Sequence, residues 1–74
     1  MEFEEAALTV LREERKPLHW TVIQDLALRR GYLDPFTQSD IRRHLLAALA
    51  RAVAAGDVKK SGPKGVYELT GRAP

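Results

Sequence analysis

The stretch TQSDIRRHLLAALARAVAA, residues 37–55, followed by GDVKKSGPKGVYEL, residues 56–69, decides the fold. In the first part Ile41, Leu45, Ala48, Leu49 and Ala52 recur at three- and four-residue steps, which predicts a helix with one apolar face. Two signals place its start at Thr37. Thr37 and Asp40 form a capping-box-like pair, and Phe36 and Ile41 are spaced for a hydrophobic staple. Gly56 and Asp57 end the helix. Beyond them, a four-residue loop from Gly62 to Gly65 sets Val58 opposite Leu69, Lys59 opposite Glu68 and Lys60 opposite Tyr67. Val58, Tyr67 and Leu69 then share one face of a hairpin, and Lys59 and Glu68 form a cross-strand ion pair on the other.

Upstream, Phe3, Ala6, Ala7, Val10, Leu11 and Glu14 follow helical spacing from Glu2 to about Arg15. Glu2, Glu4 and Glu5 suit the positive end of that helix, and Arg12, Arg15 and Lys16 its negative end. Pro17 stops it. Leu18, His19 and Trp20 form a short extended piece, expected to join the hairpin as a third strand, because an isolated hairpin is marginal in water. A second helix is expected to open at Thr21, with Thr21 and Gln24 as its capping box. Val22, Ile23, Leu26 and Ala27 would be its buried stripe and Gly31 its left-handed stop. The order helix, short strand, helix, helix, hairpin is a mainly α fold with a small β-sheet (α+β), a winged helix-turn-helix.

Seventy-four residues make one domain, with an ordered core expected over about residues 3–70. With no cysteine and only two histidines, His19 and His44, neither a disulfide nor a protein-only zinc site is expected. No apolar run approaches the roughly 20 residues of a membrane span, and the acidic start is unlike a signal peptide. A soluble, cytoplasmic protein is expected. The net charge of +2 is unevenly spread: residues 1–36 carry seven acids and five bases, residues 37–74 three acids and seven bases. The basic half holds the third helix and the wing, an asymmetry that points to a polyanion.

The runs Ala7-Leu8-Thr9-Val10-Leu11, Lys16-Pro17-Leu18-His19-Trp20-Thr21-Val22-Ile23 and Arg30-Gly31-Tyr32-Leu33 resemble the HARE-HTH family, as does the closing Gly65-Val66-Tyr67-Glu68-Leu69. These winged-helix domains occur in bacterial restriction systems, in the delta subunit of bacterial RNA polymerase and in eukaryotic chromatin proteins. The resemblance covers residues 3–69 and implies a non-catalytic domain that binds double-stranded DNA or works beside a DNA-bound machine. The chain departs from the family in its Ala-rich third helix, where more polar residues would be expected.

On that reading the start of the third helix meets base edges through Gln38, Ser39, Arg42 and Arg43, with Ala47 on the outer face behind them. Arg pairs bidentately with guanine, and Ala touches a thymine methyl. Lys59, Lys60 and Lys64 would hold phosphates from the wing, and Arg72 would add one more charge. Each has a plainer explanation: Arg43 as a solvated helix charge, the alanines as helix formers, the lysines as guards of an edge strand. The apolar outer row of Leu46, Ala50, Val53 and Ala54 supports a rival reading, a protein-interaction module or homodimer. Trp20 invites a role as a stacking platform for an exposed base, but at a strand-to-helix junction it is expected in the core; His19 is expected exposed or capping, and His44 at the border of the third helix. Gly62-Pro63-Lys64-Gly65 is too short for a phosphate loop and lacks a following helix, and Glu13 and Glu14 point about 100° apart on their helix. No enzyme, cofactor, metal or small-molecule substrate is expected.

Overall fold

The computed structural model describes residues 1–71. Three helices, α1 (Phe3–Glu14), α2 (Trp20–Arg29) and α3 (Ile41–Ala55), support a sheet of β1 (Leu18–His19), β2 (Val58–Lys60) and β3 (Val66–Leu69). The sheet is antiparallel in the order β1-β3-β2. The hairpin register is the one that the short loop dictates: Val58 faces Leu69, Lys59 faces Glu68 and Lys60 faces Tyr67. The Leu18–His19 piece is the third strand, pairing with Tyr67 and Val66. This is a winged helix-turn-helix.

The core follows from the apolar stripes. Ala6, Ala7, Val10 and Leu11 of α1 meet Ile23 and Ala27 of α2 and Leu45, Leu49 and Ala52 of α3. Val58 and Tyr67 close it from the sheet. Alanines at the contact positions let the helices approach closely. No helix among the described residues is long and apolar enough to cross a membrane.

Two helix starts differ from the sequence expectation. The second helix begins at Trp20, and its cap is His19, whose Nδ1 accepts from the Thr21 N–H at 3.2 Å. Thr21 therefore sits inside the helix, and Gln24 closes no capping box: its Oε1 is buried without a hydrogen-bond partner. Val22 turns outward, 41% exposed, while Ile23 and Ala27 are buried and Leu26 packs against the core. The third helix begins at Ile41, not Thr37. A separate turn, built by Asp34 and Gln38, precedes it. The carbonyl of Asp34 accepts from the N–H groups of Thr37 and Gln38, its side chain from Phe36 N–H, and its own N–H donates to Gln38 Oε1. Phe36 is 96% exposed, so no staple forms. Asp40 then enters α3 in the left-handed region (φ 49°), with no side-chain cap bond.

Helix ends behave as expected. Gly31 (φ 75°) lets the Tyr32 N–H reach the Ala27 carbonyl while its own N–H reaches Leu28, a Schellman stop. Gly56 (φ 84°) repeats the arrangement with Asp57 and Ala52.

The ends of α1 and α2 are tied by a polar cluster. Arg30 donates to Glu13 at 2.8 Å and to Glu14 at 2.6 Å, and the Tyr32 hydroxyl donates to Glu13 at 2.5 Å. The Tyr32 bond, with help from Arg30, holds the Glu13 carboxyl below the usual carboxylate range. A carboxylate with a lowered folded pKa stabilises above its unfolded pKa, and that contribution is lost as pH falls through the folded value. The melting temperature of the wild type is therefore expected to fall more steeply than that of Glu13→Gln between about pH 5 and pH 3. Parallel curves would show that Glu13 does not couple folding to pH.

Candidate nucleic-acid interface

The start of α3, the β1–α2 junction and the β2–β3 wing come together on one side of the molecule. The junction is fixed from two directions. His19 caps α2, with Nδ1 also 2.8 Å from Thr21 Oγ1, and the Trp20 N–H donates to the Gly65 carbonyl at 2.9 Å. Gly65 (φ 87°) brings the wing backbone directly against these side chains. A Cβ there would lie 2.6 Å from His19 Nε2 and 3.2 Å from Trp20 Cδ1. Only glycine serves both the conformation and the approach.

The result is a cleft of about 510 Å³ between wing and helices, lined by Trp20, Leu46 and Tyr67 among apolar groups and by His19, Lys60 and Lys64 among polar ones. Trp20 is half-buried: it packs against the core and also lines the cleft. Arg42, one turn before Leu46, holds its guanidinium 5.9 Å from the Trp20 ring centroid.

The basic residues of this side divide into two kinds. Arg43 pairs with Asp40 at 2.9 Å, and Lys59 with Glu68 at 3.6 Å as the register requires. Arg42, Lys60 and Lys64 have no salt bridge among the described residues. Lys60 and Lys64 line the cleft, and Arg42 approaches it over Trp20.

The other expected contact residues are redistributed by the later start of α3. Gln38 and Ser39 lie in the connection before the helix. The Gln38 amide is engaged at both ends, accepting from Asp34 N–H at 2.7 Å and donating to the Met1 carbonyl at 3.1 Å. Ser39 is exposed, and its carbonyl lies 2.9 Å from His44 Nδ1, which sits beside Phe3 at the helix border. Ala47 is exposed on α3. Arg72 lies outside the described residues. The outer row of α3 is broken up: Leu46 faces the cleft and Val53 packs on the core, leaving Ala47, Ala50 and Ala54 exposed. The cleft itself is not legible in the sequence. Trp20 reads as core there, and nothing local reveals that Arg42 rather than Arg43 reaches it.

Compared with known proteins, the chain matches the HARE-HTH family model over residues 1–61, a helix-turn-helix domain whose description names ASXL proteins and restriction endonucleases. No curated protein and no solved structure matches it.

Proposed function

Because the chain belongs to the HARE-HTH family of helix-turn-helix domains, we propose that it binds duplex DNA as part of a transcription- or DNA-associated protein. In this reading α3 lies toward the major groove and the wing follows the adjacent phosphate backbone. One observation carries it: Arg42, Lys60 and Lys64, the cations of this side without a salt bridge among the described residues, gather where the first turn of α3 meets the wing. Lysines act there as point charges for phosphates, which position a protein without reading sequence. Arg43, Ser39 and Ala47 stand nearest the bases. The Arg43–Asp40 pair is exposed on both sides, 74% and 59%, so exchanging it for a guanine or a phosphate costs little. Lys59 is a secondary contact of the same kind, and Gln38 serves the turn before α3. With so few side chains at the bases, backbone contacts dominate the affinity.

The rival reading, a protein partner or second copy on the outer face of α3, is the weaker one. With Leu46 in the cleft and Val53 on the core, what remains is small alanine surface.

The test is the salt dependence of binding to a fluorescent duplex. Three phosphate contacts give a slope of log affinity against log salt of about −2.7, and recruitment of Arg43 and Lys59 takes it to about −4.5. A slope near zero, or no binding at low salt, would sink the proposal.

A further inference from the structure

The cleft carries more than a phosphate needs. An anion is satisfied by Lys60 and Lys64 alone, yet Trp20 and Leu46 line the same cleft, with Arg42 over the indole. A volume of about 510 Å³ lies within the range of small-molecule sites. The Trp20 backbone is tied to the Gly65 carbonyl, and the wing backbone lies beside the ring edge. At 5.9 Å, Arg42 is at the outer limit of a cation–π contact, so a ligand ring meeting Trp20 replaces a weak interaction. An aromatic platform flanked by unpaired cations is the chemistry of a nucleotide with its base exposed.

We propose that this cleft binds an unpaired nucleotide of a DNA strand, its base against Trp20 and Leu46 and its phosphate between Lys60 and Lys64. The proposal rests on the duplex reading for bringing DNA to this face. It adds a preference for DNA with a single-stranded end or an extruded base over continuous duplex. His19 stands beside Trp20 at 5.7 Å between ring centroids, and no acid lines the cleft to repel the phosphate.

Trp20 is the sole tryptophan, so its emission reports on this cleft alone. The full chain is titrated with a blunt duplex, with the same duplex carrying a short thymidine tail, and with free thymidine monophosphate. Tailed DNA is expected to bind roughly tenfold more tightly than blunt duplex and to quench Trp20, which blunt duplex does not. Trp20→Leu, its fold checked by circular dichroism, is expected to erase the preference; should that variant not fold, the wild-type quench still decides. Equal affinities without quenching overturn the inference and leave the duplex reading standing. Quenching and binding by tailed DNA with none by blunt duplex uphold the cleft and overturn the duplex reading. Saturation by the free mononucleotide with no gain from the tail overturns the assignment to a DNA strand.

Discussion

A chain carrying Arg42→Glu, Lys60→Glu and Lys64→Glu is expected to bind duplex DNA at least ~100-fold more weakly than the wild type at low salt. Each reversal removes a phosphate contact and sets an acid against the backbone. Together they take the net charge from +2 to −4, six units lower. The comparison that gives the result its meaning is Arg43→Gln with Lys59→Gln. Both residues spend their charge on intramolecular partners, Asp40 and Glu68. That variant is expected to lose less than about tenfold, since an exposed pair that must first be broken returns part of what the new contact gives. All five side chains are exposed, so both variants should melt within a few degrees of the wild type. Anisotropy titrations in parallel measure the contrast. Equal losses in the two variants would mean that the sorting of cations into paired and unpaired has no bearing on binding. A triple variant that still binds within about fivefold of the wild type would remove the cleft from the interface.

Gly65→Ala is expected to destabilise the domain by about 2–3 kcal/mol, about 1–2 of it from holding a left-handed residue with a Cβ and the rest from displacing the cap of α2. The displaced group cannot simply swing aside. His19 Nδ1 is engaged by the Thr21 N–H and lies against the Thr21 hydroxyl, so moving Nε2 away from a Cβ at 2.6 Å loosens the start of α2. For a domain of this size the loss corresponds to a melting temperature lower by roughly 10–20 °C. Gly62→Ala is the internal control. Gly62 is also left-handed (φ 72°), but a Cβ there meets nothing within 4 Å, so only the conformational part is lost. Thermal denaturation followed by circular dichroism separates the two. Coincident melting curves would show that the close approach at Gly65 carries no energetic weight.

The features legible in the sequence were those set by short-range geometry. A four-residue loop leaves the hairpin one register that puts Val58, Tyr67 and Leu69 on one face, and the Lys59–Glu68 pair follows from the same register. Gly31 and Gly56 stop their helices because their left-handed conformation is a local property. Starts were less legible, because capping chemistry marks the beginning of a turn without saying how many turns follow. Asp34, Pro35 and Gln38 build one turn and stop, and α3 starts afresh at Ile41. At the second helix, His19 outcompetes Thr21 as cap because pairing with Val66 already holds it at the end of a strand. The interface inherited these offsets. Moving the start of α3 took Gln38 off the helix, and only the assembled tertiary structure shows that Arg42 reaches across to Trp20.

The strand order β1-β3-β2 has a consequence for how the chain is made. β3 is the partner of both other strands, and it is the last of the three to be synthesised. At a ribosomal pace of about 5–20 residues per second, α1, α2 and α3 emerge and can associate before any strand ladder exists. β1 waits some fifty residues for its pairing partner, from Leu18 to Tyr67. Without β3, neither β1 nor β2 has a partner, so both ladders of the sheet depend on the arrival of one strand.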